Sequence, residues 1–310
     1  MPDINHAGLA VHQRLLDAFF REQSPIWGQI YEREGIFESI HQERLRVALA
    51  MVDGLRLPSN ARVLDVGCGT GVATVGLARR ALTVDAIDPV GAMTQATRER
   101  AAAAYVETRV VVQKGDVHAL PFPDGTFALV IALGVLPWLP KIEPPLREMC
   151  RVLHPGGYLI ATVDAHWQLR QLFDPFQNPL LLGPRSHVGS FLRRRLAPRR
   201  GVRAQVSRLR EFKRELLAQG LELRTSCTIG FGPFTLFNRQ ILPASVGLRL
   251  NNWLQSMANG GAPVLRSIGS QFLVLAKKPG TSDPMAPCDL SQLDRQLQPC
   301  PRSTLRATQP

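Results

Sequence analysis

Short apolar runs alternate along this chain with stretches of helical periodicity. The runs with strand character are VLDV at 63–66, LTVDAID at 82–88, RVVVQ at 109–113, FALVIAL at 127–133, YLIATVD at 158–164 and QFLVLAKK at 271–278. Between the fourth and fifth runs, Leu146, Met149, Val152 and Leu153 recur at helical spacing, and Pro155 with two glycines ends that helix. Because parallel strands need a crossover helix each, the pattern predicts a doubly wound α/β fold with a mostly parallel sheet.

The first strand ends in an unusual glycine-rich segment, VLDVGCGTG at 63–71. Gly67, Gly69 and Gly71 alternate behind Asp65, and a helix-like segment follows them. A strand that turns through glycines into a helix leaves backbone N–H groups open to a closely approaching ligand. The segment therefore predicts a binding site for a nucleotide-like cofactor.

Acidic residues stand at the ends of the next two strands. Asp88 closes the second run, about twenty residues after the glycine turn, where a carboxylate can accept hydrogen bonds from both hydroxyls of a ribose. Asp116 follows the third run. Since the carboxyl ends of parallel strands share one edge of the sheet, we expect these groups to face one crevice.

The order Asp-x-Gly-x-Gly-x-Gly differs from the Gly-x-Gly-x-x-Gly of dinucleotide-binding dehydrogenases and resembles motif I of the class I S-adenosylmethionine-dependent methyltransferases. The segments LPFPDGTFALV and LREMCRVLHPGGYLIATVD resemble later motifs of that family. Together the motifs cover residues 63–164 in the expected order. The resemblance implies a Rossmann-like seven-stranded sheet whose last strand is antiparallel, with S-adenosylmethionine as cofactor.

The resemblance also implies roles for individual residues. Gly67 and Gly69 would lie against the methionine moiety, Asp88 would bind the ribose, and Asp116 with Val117 would meet the adenine. Asp65, Met93 and Leu133 join the implied cofactor-binding set, as does Tyr31 on the preceding amphipathic helix, with Trp27 as the other aromatic candidate.

The implied chemistry is in-line transfer of a methyl group from a sulfonium to a nucleophile, which asks the enzyme mainly for alignment and exclusion of water. His166, just beyond the fifth strand, is the candidate catalytic base, and His118 and His154 are further candidates. Each of these histidines can equally be a hydrogen-bonded surface group. The resemblance covers a broad group, including quinone-biosynthesis C-methyltransferases, that acts on small and often apolar acceptors.

Three other functions stay open from the sequence. A nicotinamide-dependent oxidoreductase shares the fold, and a binding protein for S-adenosylmethionine without catalysis would keep the same motifs. Methylation of nucleic acid is disfavoured, because the fourth strand ends in ALGVLPW instead of the Pro-Pro-aromatic motif of base-methylating enzymes. Neither a cluster of metal ligands nor a CxxC pair is visible, so no metal is predicted.

The pattern divides the chain into four parts. We expect residues 1–60 to form a helical cap and residues 61–164 to form the cofactor-binding core. Residues 165–278 are expected to form a substrate-side insertion together with the last strands. Residues 279–310 contain prolines throughout without sustained apolar periodicity, which predicts a disordered tail.

The net charge of +12 on 310 residues is concentrated in one segment. Between Arg185 and Arg214 there are eleven Arg or Lys residues and a single acidic residue, Glu211. This segment could be a solvated insertion, or it could contact an anionic membrane surface, an acidic substrate or phosphates. Aromatic residues at base-stacking intervals are absent from it, which argues against single-stranded nucleic acid.

The N-terminal residues mix charged and apolar side chains and do not resemble an export signal. The longest apolar stretch, LVIALGVLPWLP, is interrupted by proline and too short to span a bilayer. We therefore expect a cytoplasmic protein with reduced cysteines, in peripheral contact with a membrane if the basic segment binds one.

Overall fold

The computed structural model describes residues 16–23, 27–165, 209–237 and 239–280, together with residues 168, 169, 174, 178, 206 and 207. The strands are β1 Arg62–Val66, β2 Thr83–Asp88, β3 Val110–Lys114, β4 Phe127–Ala132, β5 Leu153–Ala165, β6 Val206–Ser207, β7 Glu222–Ile229, β8 Thr235–Leu236, β9 Arg239–Gln240 and β10 Gln271–Lys277. The helices are α1 Ile36–Leu55, α2 Val72–Ala78, α3 Gly91–Ala103, α4 Glu143–Val152, α5 Leu209–Ala218 and α6 Ala244–Asn259, with 3-10 turns at Glu107–Arg109, Leu136–Trp138 and Leu265–Ser267. Residues 16–23 are also helical.

The main sheet has the strand order β3-β2-β1-β4-β5-β10-β7, and the short β6 pairs with the end of β5. The pairs from β3 to β5 are all parallel, whereas β10 runs antiparallel to both β5 and β7. This arrangement confirms the predicted doubly wound, mostly parallel sheet with an antiparallel last strand. The carboxyl ends of β1, β2, β4 and β5 consequently lie at one edge, where the start of β10 joins them.

Both faces of the sheet are covered, as parallel strands require. Val130 packs in one apolar layer with α4 and α5, while Leu129 and Ile131 pack in the opposite layer with α1 and α2. Successive residues of a strand point to opposite faces, so one strand supplies both layers. Helix α1 thereby reaches across the sheet to the carboxyl edge that holds the glycine turn.

Much of the basic segment 185–214 lies outside the described residues, as does most of the tail 279–310. Contact between that segment and an anionic surface stays a prediction from the sequence. Among the helices that the structure does describe, none combines the length and the apolar character needed to cross a bilayer.

We expect Leu146→Ala to lower the free energy of unfolding by about 2–5 kcal/mol, because removing a buried leucine side chain leaves a cavity. Leu146 is fully buried on α4 against the sheet. The matched control is Arg147→Ala, the next residue, whose side chain is 64% exposed and pairs only with Glu143 on the same helix. Urea unfolding should show a change within about 0.5 kcal/mol for this control. Equal losses in the two variants would contradict the described packing of α4.

Candidate functional site

The turn after β1 is held in a left-handed backbone conformation, with φ of 65° at Gly67 and 54° at Gly69. A side chain at Gly67 would collide with Val135, which follows β4. At Gly69, by contrast, a Cβ atom would have no heavy atom within 4 Å other than those of its chain neighbours, so the space over it is open. The N–H groups of Gly67 and Cys68 donate to the Ile87 carbonyl oxygen at 2.8 and 3.0 Å, which ties the turn to β2. Glycine is needed at both positions because other residues rarely adopt this conformation.

Two buried carboxylates flank the turn. The Asp88 carboxylate accepts hydrogen bonds from the Gly69 N–H at 3.0 Å and from the Val90 N–H at 2.9 Å. Asp65 accepts one from the Thr74 hydroxyl at 2.6 Å. Burial raises the pKa of Asp65 to about 6, with Thr74 opposing the shift and the charge of Asp88 adding to it. Burial likewise raises the pKa of Asp88 to about 6, against the two N–H donors and together with the nearby charge of Asp17.

A cavity of about 520 Å³ opens over this turn, within the size range of small-molecule sites. The predicted site residues that line it are Tyr31, Asp65, Gly67, Gly69, Asp88, Met93 and Leu133, and the second aromatic candidate, Trp27, lines it as well. These residues come from α1 or the segment before it, from β1, β2 and α3, and from the end of β4. The fold therefore brings together positions that are up to about a hundred residues apart in the sequence.

The other predicted site residues are placed differently. Asp116 and Val117 are outside the lining of this cavity, although Gly115 donates its N–H to the Asp88 carbonyl oxygen at 3.3 Å and so places them beside β2. The Asp116 carboxylate pairs with the His118 ring at 2.7 Å, which lowers the pKa of Asp116, and Val117 is buried in an apolar layer. His166 lies outside the described residues.

The two further histidine candidates also stand outside the cavity lining. His118 is engaged with Asp116, and Nδ1 of His154 lies 2.7 Å from the Pro155 carbonyl oxygen at an exposed position. In the described residues, neither of them contacts the glycine turn.

Aromatic side chains form one wall of the cavity. Phe19, Phe20, Trp27, Phe37 and Trp138 all line it. The Phe20 and Trp138 rings meet edge to face with their centroids 5.2 Å apart, and Phe20 also lies 6.1 Å from Trp27. Contacts of this geometry fix the ring orientations and present an apolar surface to a ligand. The wall joins residues 16–23 to the 3-10 turn after β4, a proximity that no local sequence pattern could indicate.

Helix α1 adds two polar residues to the cavity that the sequence reasoning missed, His41 and Arg44. Nδ1 of His41 lies 2.8 Å from the Phe37 carbonyl oxygen, so Nδ1 is the donor and Nε2 the free lone pair. Burial and the charge of Arg44 lower the pKa of His41 to about 3, and the imidazole is neutral. The available signal was a pair of polar residues, three apart, within the apolar stripe of Ile40, Val47, Ala48 and Met51.

Metal and thiol chemistry find little support in this site. Within the described parts of the chain, His, Cys, Asp and Glu side chains form no group of three that could hold a metal ion. Cys68 lies in the glycine turn as a free thiol, and burial raises its pKa well above the usual range. A thiol that stays protonated is a weak nucleophile, which favours a packing role for Cys68.

The fold and its crevice define a Rossmann-like α/β protein with a nucleotide-type cofactor site. Residues 64–161 match the family described as a methyltransferase domain. The match covers motif I, the ends of β2 and β4, helix α4 and most of β5, the segments whose resemblance was found in the sequence.

Individual relatives agree with this assignment over part of their lengths. A malonyl-acyl-carrier-protein O-methyltransferase from Halorhodospira halophila is 44% identical over 31% of this chain and 32% of its own length. A ubiquinone/menaquinone biosynthesis C-methyltransferase from Methylobacterium nodulans is 33% identical over 53% of this chain and 65% of its own. The chain thus spans between about a third and two thirds of these relatives.

The solved structure of the cyclase SpnF has the same fold. It superposes with a TM-score of 0.56 at 18% identity and covers 86% of this chain and 95% of its own. A protein named as a cyclase therefore shares this architecture, so the fold by itself leaves the reaction undefined.

The raised pKa of Asp65 generates a pH prediction. An unfolded aspartate titrates near 3.9, so the native state holds a proton that the unfolded state has already released between about pH 4 and 6. The contribution of Asp65 to stability is therefore present below about pH 4 and is lost as the pH rises through 6. The side chain of Asp65→Asn cannot titrate. The unfolding free energy of this variant minus that of the parent protein should therefore increase by about 3 kcal/mol from pH 4 to pH 8. Urea unfolding of both ligand-free proteins measures this difference, and a gap that stays flat with pH contradicts it.

Proposed function

We propose that this protein is an S-adenosylmethionine-dependent methyltransferase that transfers a methyl group to a small, lipophilic acceptor. The observation that carries the proposal is one shared cavity in which the glycine turn and Asp88 stand at one side and a wall of aromatic side chains stands beside them. The family match of residues 64–161 and the methyltransferase names of the relatives support the reaction type.

The residues around the turn fit an adenosine-containing cofactor. The open space over Gly69 is what a closely approaching ligand needs, and a side chain there would fill it. Each oxygen of the Asp88 carboxylate accepts one backbone N–H and keeps a second lone pair, as the recognition of two ribose hydroxyls requires. Met93 and Leu133 supply apolar lining. Asp116 and Val117 remain the proposed adenine contacts.

The cofactor would supply a methyl group already activated by a positively charged sulfur. The protein then has to bind the acceptor in line, exclude water and receive a proton where the acceptor releases one. Phe20, Trp27 and Trp138 provide the apolar surface that orients a lipophilic molecule and displaces water. His166 stays the proposed base, and Nε2 of the neutral His41 is a hydrogen-bond acceptor at the cavity.

Methyl transfer from a radiolabelled cofactor into a lysate metabolite pool tests the reaction. We expect label in the fraction extracted by organic solvent, because the aromatic wall favours a lipophilic acceptor. Label only in nucleic acid would point to RNA methylation, and no label above a boiled-protein control would favour a non-catalytic binding protein. Each of these two results would contradict the proposal.

Binding of S-adenosylhomocysteine tests the cofactor site separately from catalysis. We expect Asp88→Asn to weaken binding roughly 10- to 100-fold, about 1.4–2.8 kcal/mol, because a charged acceptor of ribose hydrogen bonds is lost. The matched control is Asp85→Asn on the same strand: Asp85 is equally buried but pairs with Arg62 at 2.7 Å and lies outside the cavity lining. Calorimetric titration should give the control an affinity within about twofold of the parent protein, since Asp85 makes no contribution to the cavity.

Calorimetric titration with NAD(P) also tests the alternative that the protein is a nicotinamide-dependent oxidoreductase. Tight binding of NAD(P) with no response to S-adenosylhomocysteine would overturn the proposed cofactor. Equal weakening by Asp85→Asn and Asp88→Asn would show that Asp88 acts through the fold of β2 instead of through the ligand.

A further inference from the structure

Exposed apolar side chains are concentrated in one part of the molecule. Ten large apolar side chains are exposed among the described residues, and seven of these lie between residues 236 and 264, on the β8–β9 hairpin, on α6 and just after it. Single exposed apolar residues are ordinary on protein surfaces, whereas a concentration of them marks an interaction site. We refer to residues 235–237 and 239–266 as the apolar lobe.

Helix α6 carries two apolar stripes. Leu254 and Ala258 are buried in a small apolar cluster under the helix. Val246, Trp253 and Met257 are exposed, Trp253 by 58%. Their spacings of seven and four residues direct these three side chains to one side of the helix, about a third of a turn from the buried stripe. The helix thus packs one stripe against the protein and presents the other to its surroundings.

The charges of the apolar lobe are all positive. Residues 223–282 contain neither Asp nor Glu, and Arg239 and Arg249 are exposed within the lobe. None of the ion pairs formed among the described residues includes either arginine. Arg249 lies beside the exposed stripe on the surface of α6. Exposed apolar side chains flanked by arginine, with no acidic residue among them, suit the headgroup region of an anionic membrane.

The apolar lobe adjoins the cavity that contains the glycine turn. Gly232 and Pro233 line this cavity and lead directly into β8. The start of α6 lies on the start of α1, since a Cβ atom at Gly247 would be 2.7 Å from Cδ1 of Ile36. The residue after Ile36 is Phe37, which lines the cavity and is itself exposed. The lobe therefore begins where the wall of the cavity ends.

We propose that the apolar lobe docks on an anionic phospholipid bilayer, with Trp253 and Met257 entering the headgroup region and Arg239 and Arg249 contacting lipid phosphates. Tryptophan suits this position because its ring is apolar and its N–H can still reach water. The inference goes beyond the proposed function, because docking requires neither the cofactor nor the acceptor. A lipophilic acceptor dissolves in the bilayer, so docking at this site would bring the cavity to its source.

A second copy of this chain is the other occupant to consider. In a two-fold symmetric dimer the same patch meets itself, so the arginines of both copies would enter one interface. The lobe has no acidic residue with which they could pair. Like charges brought together in an interface weaken it, whereas anionic headgroups pair with the same arginines. The charge of the lobe therefore favours the bilayer.

Sedimentation of the full-length protein with vesicles tests the docking. One vesicle consists of phosphatidylcholine alone, and the other contains about one third phosphatidylglycerol. We expect Trp253→Ser to weaken binding to the anionic vesicle about ten-fold, because a large apolar side chain no longer enters the headgroup region. The matched control is Tyr105→Ser, because Tyr105 is an aromatic residue that is 90% exposed and lies outside the lobe. Its binding should stay within about twofold of the parent protein.

The contribution of charge is measured with Arg249→Gln. We expect roughly five-fold weaker binding to the anionic vesicle and unchanged binding to phosphatidylcholine, because one contact with the charged headgroups is lost. Salt at about 0.5 M should remove the difference from the parent protein. Arg79→Gln is the matched control, since Arg79 is exposed after α2, outside the lobe, and joins none of the ion pairs among the described residues. Urea unfolding of each variant checks that it folds like the parent protein.

Lipids brominated on their acyl chains report whether Trp253 enters the bilayer. Trp253→Phe should still bind, because phenylalanine is also apolar, but it should lose most of the quenching of tryptophan fluorescence seen in the parent protein. Binding through the basic segment 185–214 instead would leave Trp253→Ser as tightly bound as Tyr105→Ser and Trp253→Phe as strongly quenched as the parent. That result would overturn the inference, as would a parent protein that sediments with neither vesicle. A lipid-free dimer that Trp253→Ser dissociates would also overturn it, because this surface would then belong to a second copy.

Discussion

The left-handed backbone of the turn after β1 is the constraint on which the site depends. It directs the Gly67 and Cys68 N–H groups at the Ile87 carbonyl oxygen and the Gly69 N–H at the Asp88 carboxylate, so one turn fixes the ends of two strands against each other. The burial of Asp88 follows from the same contacts. A different backbone here would separate the carboxylate from the open space over Gly69, and the cavity would lose its polar end.

The main strands, their mostly parallel direction and the glycine turn could be predicted from the sequence because their signals are local. The continuous apolar run of β4 and the glycines behind Asp65 depend on residues close together in the chain. The roles of Trp138 and Arg44 could not be predicted in this way. Trp138 becomes part of the cavity through its contact with Phe20, more than a hundred residues earlier, and Arg44 stands in a stripe that the apolar period assigns to the core.

The cavity combines three environments in one continuous space. Asp65 and Asp88 supply acidic groups, the aromatic wall supplies an apolar surface, and Arg44 supplies a cation. Each charged group is buried, so each interacts with a ligand through a lower dielectric than it would in water. A ligand set with a hydroxyl-rich end, an apolar body and an anionic end would satisfy all three environments together.

Burying these groups without a ligand carries a cost in the stability of the fold. Burial raises the pKa of Asp65 and of Asp88, which means that their ionised forms are disfavoured in the native state near neutral pH. The Nε–H of Arg44 is buried without a partner, and its charge helps to keep His41 neutral. Since a molecule that binds only the folded state stabilises it by mass action, ligands that pair with these groups offset the cost of burying them. Recognition and folding are in this way coupled through the same few side chains.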